Sequence, residues 1–247
     1  MTQSAGSMTS GHRKFNCLLH HRAMVIVMND LNGQPSPGDC LARSVPADEP
    51  AVEIVWGMLK GLGPLWEGVP SGPGISGVLP PRREIEALYG AAAAEPPLNE
   101  DPRFAAIFAD VYDVSVRNGQ VLMTLTRTQP DGRLTSFAYG HHWKWEEQKY
   151  PWAFELQSRL GEASIELEST FALNLLARDP KQRDRGLGRR TLEMWIGEVG
   201  RFGCWLQTDD IDSPARRLYE RLGFTELGHG PEAPNGQPGL VMFRSPR

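Results

Sequence analysis

Cysteine is scarce in this chain: its 247 residues hold three, Cys17, Cys40 and Cys204, an odd and widely spaced set. They define no disulfide framework, and a reducing, cytoplasmic setting suits them best. Cys17 lies close to His20 and His21, but no second Cys or His pair follows at zinc spacing, so no metal site is expected. Long apolar runs are also missing. The longest strongly apolar one, Ala23 to Met28, is far too short to span a bilayer. Arg13 and Lys14 precede it, yet His20, His21 and Arg22 interrupt the order of a secretory signal and no clean cleavage site follows. Positive charge is not in excess either. A formal net charge of -4 argues against a general nucleic-acid binder.

What is present is concentrated in Asp179-Pro180-Lys181-Gln182-Arg183-Asp184-Arg185-Gly186-Leu187-Gly188-Arg189-Arg190. The apolar run Phe171 to Leu176 before it suits a strand entering a turn at Pro180. After it, Leu187, Leu192, Trp195, Val199 and Phe202 recur at about every fourth residue, which suits a helix with one buried face. The glycines thus fall between a strand and a helix. Backbone without Cβ lets N–H groups approach a ligand there, and the first helical turn adds unpaired donors and partial positive charge. Arg183, Arg185, Arg189 and Arg190 supply guanidinium groups that can pair with phosphate oxygens. No Gly-Lys-Ser/Thr follows, so this is not a Walker loop, and the further glycine of a dinucleotide fingerprint is missing.

The spacing Arg183-x-x-Gly186-x-Gly188 resembles the acyl-CoA pyrophosphate loop of the GNAT N-acetyltransferase superfamily. A second stretch, Trp205 to Thr225, is similar to that family's fifth strand and following helix, with Tyr219-x-x-x-Gly223-Phe224 as its signature. The resemblance implies an α+β (α/β) fold with a mixed, mostly antiparallel central sheet, flanked by helices and splayed at the acyl-CoA site. It also implies acetyl-CoA as co-substrate and an amine as acceptor. Under it, Arg183, Asp184, Arg185, Gly186, Leu187, Gly188 and Arg189 hold the pyrophosphate. Backbone groups of Leu176, Ala177 and Arg178 pair with the pantetheine arm, and Asp212 stands where the family often has a cofactor-contacting Asn. Tyr219 is the implied general acid for the departing thiolate; its position on an apolar helical face with Ala215, Leu218 and Leu222 equally suits a core residue.

Taken in order, residues 1–38 form an extension with loose, linker-like ends, either an upstream start or an arm that pairs with a neighbour to make a homodimer. By the same resemblance, residues 39–247 would form the acetyltransferase domain. Cys40 to Val45 reads as a first strand and Ala51 to Leu62 as a first helix, followed by a Gly/Pro-rich loop from Pro64 to Pro81. Glu84 to Ala94 favours helix, and Asp101-Pro102 opens another whose Phe104, Ile107, Phe108, Val111 and Tyr112 should be buried. Gln120 to Thr128 and Arg133 to His142 flank Gln-Pro-Asp-Gly as a hairpin. His141 and His142 must then point to opposite faces. The aromatic-rich insertion 143–161 reads as a wall over the acceptor pocket or as a peripheral helix anchored by its tryptophans.

An amine must lose a proton before it attacks, so a base is sought. Many family members carry a Glu about fourteen residues before the first loop glycine, where this chain has Ala172. If the fourth strand extends upstream without a bulge, Asn174, Thr170, Glu168 and Glu166 share its face, and Glu168, directly or through a water, is the candidate base; the alternative is no dedicated base, with solvent taking the proton. Three readings remain open. The first is an N-acetyltransferase acting on a small amine, the second a non-catalytic acyl-CoA-binding module without a working base, and the third an interaction protein assembled through the arm and the insertion.

Overall fold

In a computed structural model, residues 52–56, 79–128, 132–182 and 185–246 are described. Their strands are β1 (Val52–Trp56), β2 (Leu122–Arg127), β3 (Leu134–Trp143), β4 (Thr170–Arg178), β5 (Cys204–Thr208), β6 (Thr225–Glu232) and β7 (Pro238–Arg244). The helices are α1 (Arg82–Ala93), α2 (Arg103–Arg117), α3 (Pro151–Leu160), α4 (Leu187–Val199) and α5 (Pro214–Arg221). The strands make a seven-stranded sheet in the order β1-β2-β3-β4-β5-β7-β6. Every neighbouring pair is antiparallel except β4–β5. This is the mixed sheet that the two motifs implied.

Alternation along β3 divides the molecule into two layers of core. Phe137 and Tyr139 point to the side where α1 and α2 pack, together with Met123, Leu125, Leu175 and Ala177. Trp143 continues that side under α3 with Ala172, Trp205 and Val241. Ala138 points to the other side, where α4 and α5 bury Leu192, Trp195, Leu218 and Tyr219 against Leu173, Leu176 and Leu206. In α2, Phe104, Phe108 and Tyr112 are buried at helical spacing, whereas Ile107 and Val111 are half-buried at the margin of the stripe. Asp101 supports that helix start by accepting the Arg103 N–H at 2.9 Å.

Two expectations are corrected. Val52–Trp56, expected within a helix over Ala51 to Leu62, is an edge strand paired with β2 from Val52↔Thr126 to Trp56↔Leu122. Its Val-Glu-Ile-Val-Trp run is short and β-branched, and pairing to a sheet edge outweighs the weak helical spacing. The second correction concerns β4. It begins at Thr170, after a 3-10 segment Gly161–Leu167 and a left-handed Ser169 at φ 60°, so Glu166 and Glu168 are not strand residues and share no face with Ala172. The arm 1–38, the strand expected at Cys40 to Val45 and the hairpin tip 129–131 lie outside the described residues.

The insertion is anchored by its aromatics. Trp143 is fully buried, edge-on to Trp145 at 5.2 Å and to Trp205 at 4.8 Å, and Trp152 is buried in α3. Among the described residues, no helix is long and apolar enough to cross a membrane. None of their His, Cys, Asp and Glu side chains gather in a group of three that could hold a metal.

Candidate active site

The parallel pair β4–β5 is registered only at Phe171↔Cys204 and Ala172↔Trp205. Beyond that point β4 keeps β3 as its partner to Arg178, and among the described residues no strand pairs with its other edge. The departure coincides with a bulge. Tyr139 faces Leu175 and Gly140 faces Leu173, leaving Asn174 as the extra residue, and such an insertion bends and twists its strand. Gly140 permits the close packing behind the bend. A Cβ there would stand 2.1 Å from the Ala172 carbonyl oxygen and 2.6 Å from the Trp195 ring.

At the open end of β4 the chain turns into α4. Gly186 adopts the left-handed conformation (φ 64°, ψ 15°) that glycine takes without steric cost, and the helix starts at Leu187 with no side-chain cap. The Arg190 N–H closes the first turn on the Gly186 carbonyl at 3.0 Å. A helix start leaves its first few N–H groups without intrahelical partners, here those around Leu187, Gly188 and Arg189. A Cβ on Gly186 or Gly188 would meet no heavy atom within 4 Å, so the backbone borders open space there. Uncapped donors, a helix N-terminus and bare backbone fit a pyrophosphate. Arg185 and Arg189 are exposed beside it, Arg189 pairing with Glu193 at 2.8 Å. Arg183 and Asp184 lie outside the described residues. Leu176, Ala177 and Arg178 close β4 beyond its last registered pair with β5, and the buried Arg178 side chain donates to the Asp179 carbonyl at 3.1 Å.

Tyr219 belongs to α5, whose start is fixed by the Ser213 hydroxyl accepting the Arg216 N–H at 3.1 Å. Its ring is fully buried against Phe224, and its hydroxyl has no hydrogen-bond partner. Burial raises its pKa far above the usual phenol value, so it stays protonated. Asp212, which the resemblance places at the cofactor, is exposed and paired with Arg217.

Three buried or half-buried acidic groups that the motifs did not single out are linked by charge and hydrogen bonding, and one of them, Tyr89, also feels Tyr219 through space. Asp209, directly after β5, is 4 % exposed, and its Oδ1 has no partner. Glu100, in the connection between α1 and α2, accepts the Tyr89 hydroxyl at 2.9 Å through Oε2, while its buried Oε1 has none. Burial, opposed by the Tyr89 hydrogen bond and aided by the charge of Asp209, pushes the Glu100 carboxyl up to about 8. Burial alone pushes Asp209 up to about 6. Tyr89 is raised chiefly by its burial, and also by Glu100, Asp209 and Tyr219 acting through space. Groups from α1, the α1–α2 connection, the end of β5 and α5 thus influence one another electrostatically through Tyr89.

His141 and Asn174 border the bulge, with His141 Nδ1 2.9 Å from Asn174 Oδ1. Burial is the main cause that lowers the His141 pKa to about 4, and the ring is neutral at pH 7. His142 points to the opposite face, edge-on to Phe171 at 5.3 Å, as strand alternation requires. Glu168 is exposed, with Oε2 accepting the Trp145 N–H at 3.0 Å. It lies ahead of the closed end of the β4–β5 pair, away from the bulge and the open edge.

Sequence reasoning missed Glu100, Tyr89 and Asp209. Asp209 had a local signal, a pair of aspartates closing an apolar strand immediately before the recognised helix. Glu100 had none, because its meaning depends on a tertiary neighbour.

Residues 125–224, from within β2 to just beyond α5, match the family model for the acetyltransferase (GNAT) family. The chain thus carries a GNAT acetyltransferase domain over that span. It is similar to a solved structure of the histone acetyltransferase HPA2 and related acetyltransferase from Corynebacterium glutamicum, with 18% identity, 69% of this chain and 94% of that one covered, and a TM-score of 0.48. It is also similar to the ribosomal-protein-S18-alanine N-acetyltransferase from Escherichia coli, with 19% identity, 66% and 86% covered, and a TM-score of 0.41. No curated protein matches the chain.

Proposed function

We propose that this acetyltransferase moves an acetyl group from acetyl-CoA to a primary amine of a small molecule by direct attack on the thioester. The observation that carries it is the opened β4–β5 pair, followed in the chain by a glycine-bordered helix start, together with a buried phenol on α5 that has no partner. In this mechanism the N–H groups of Leu187, Gly188 and Arg189, with Arg183, Asp184, Arg185 and Gly186 around them, hold the pyrophosphate. Backbone groups of Leu176, Ala177 and Arg178, where β4 has parted from β5, pair with the pantetheine amides as an added strand would. Holding the thioester in this way turns attack by a bound amine into an intramolecular step. Tyr219 donates a proton to the departing sulfur, since a protonated phenol that has no competing partner can give its hydrogen bond to a developing thiolate. Asp212, engaged by Arg217, serves at most the outer part of the cofactor. Glu168 lies outside β4 beyond the turn at Ser169, with Oε2 held by the Trp145 N–H at 3.0 Å, and this mechanism assigns it no step.

Calorimetric titration of acetyl-CoA into the wild type and a Gly186→Glu variant tests this. A side chain at a left-handed position, carrying negative charge into the mouth of the helix, should abolish binding. Equal binding by both proteins, or none by the wild type, would refute the assignment of this loop. With binding established, thiol release over a panel of small amines identifies acceptors, and no release with any of them would favour the non-catalytic alternative.

A further inference from the structure

The proposed transfer needs a group to receive the amine, and the carboxyl groups of Glu100 and Asp209 are the strongest unexplained feature of the molecule. An ionised carboxylate is seldom buried without a partner, because desolvation costs far more than packing returns. Here two carboxyl groups from distant parts of the chain act on one another through space, and each has one buried oxygen without a hydrogen-bond partner. Nothing in the described protein supplies a cation to them. The Tyr89 hydroxyl engages Glu100 from one side at 2.9 Å. From the opposite face of the sheet, Tyr219 brings a second phenol, also partnerless, within electrostatic reach of Tyr89. A water-filled polar pocket could use such groups, but so could a ligand carrying several N–H donors and positive charge. The place decides between them, because Asp209 ends β5 where that strand has parted from β4.

We propose that Glu100 and Asp209 receive the protonated amine of the acceptor, and that Asp209 takes the proton which frees its nitrogen for attack. This rests on the acetyltransferase mechanism above and names the acceptor side of the same site. The ammonium donates hydrogen bonds to the unpartnered Oε1 of Glu100 and Oδ1 of Asp209, while Tyr89 fixes the other oxygen of Glu100. One N–H proton passes to the Asp209 carboxylate, giving a neutral amine and a carboxylic acid. The nitrogen lone pair then forms the N–C bond at the thioester carbonyl. As the C–S bond breaks, Tyr219 protonates the sulfur and the second proton lost by nitrogen restores the phenol. Asp209 finally returns its proton to solvent, so one proton is released for each amide and thiol formed. An acceptor lacking a basic nitrogen has nothing to offer this pair, and acceptors are therefore cationic amines rather than alcohols or anilines.

The test uses the full-length enzyme saturated with CoA, so that no turnover occurs, titrated with 1,4-diaminobutane and with 2-phenylethylamine. Two buffers of different ionisation enthalpy report protons exchanged. In the wild type, binding of at least one amine should release protons, because a cation stabilises the ionised form of a carboxyl that burial keeps protonated. Glu100→Gln and Asp209→Asn should each weaken that amine about tenfold or more, the range for a hydrogen bond to a charged group. Glu100→Gln should also lose the proton release. CoA affinity should stay at the wild-type value in both variants, which reports that each is folded. Amine binding unaffected by either substitution, binding without proton release, or no binding of either amine to the CoA complex would overturn the proposal while leaving the acetyltransferase function standing. Failure of CoA itself to bind the wild type would remove that function and this inference with it.

Discussion

At the scale of single residues, Tyr219 separates a structural from a chemical role. A buried hydroxyl without a partner is a cost to the folded state, of the order of 1–3 kcal/mol in mutational data. Tyr219→Phe removes that cost and leaves the ring against Phe224. The variant should therefore melt at the wild-type temperature or above it. Its kcat for thiol release should nevertheless fall by about 100-fold or more, the lower range for a positioned general acid, with acetyl-CoA affinity unchanged. Steady-state kinetics, calorimetry and a melting curve on the same preparation check this. Wild-type turnover with a higher melting temperature would make Tyr219 a packing residue. The two outcomes are distinct because proteins retain destabilising groups chiefly where function needs them.

Elements carry the next level of constraint, and β4 carries most of it. The bulge at Asn174 shifts its alternation, so that Leu173 and Leu176 serve one core while Leu175 and Ala177 serve the other. The β3 backbone can lie close enough to support the bend only because Gly140 has no side chain. Gly140→Ala would force its Cβ against a backbone carbonyl and the Trp195 ring, neither of which can yield without moving a strand or a helix. We expect a loss of about 1–3 kcal/mol, the usual range for overpacking, seen as a lower urea midpoint at unchanged slope. An unchanged midpoint would mean that β3 and β4 separate more easily than their packing indicates. The same elements show what sequence could reveal. Strand β4, helix α4 and the Ser213-Pro214 start of α5 were legible because strand, turn, glycine and cap signals agreed locally. The bulge was not, since a run of apolar residues reads alike with or without one extra residue. Placing Glu168 on the strand failed for the same reason: nothing local marks Ser169 as left-handed, and because of the turn it makes the strand begins only two residues after Glu168. Val52–Trp56 was misread because its partner β2 lies far along the chain, and an edge strand is defined by its partner.

For the molecule as a whole, the buried acids and His141 predict how stability follows pH. Glu100 and Asp209 titrate at about 8 and about 6 when folded, above the ordinary carboxylate range, so the folded state holds more protons than the unfolded chain in those windows. Stability contributed in this way falls as pH rises toward the folded values. His141 has the opposite sign. Its folded pKa is lowered to about 4, so the unfolded chain binds more protons between that value and about 6.5, and stability rises with pH across that window. The opposing slopes meet below about pH 6.5, and above it Glu100 acts largely alone among these three. Melting temperature in the free enzyme should accordingly fall between about pH 6.5 and 8.5. In Glu100→Gln, which cannot titrate, that fall should be shallower, and the variant should gain on the wild type most at the alkaline end. A cationic amine that binds the pair should flatten the wild-type curve as well, since it favours the ionised carboxyl that high pH produces. Thermal melts of both proteins across this range, with and without 1,4-diaminobutane, decide the matter. Parallel curves for wild type and variant would mean that Glu100 ionises in the folded protein as it does in the unfolded chain, and that the buried pair stores no proton for an incoming cation to displace.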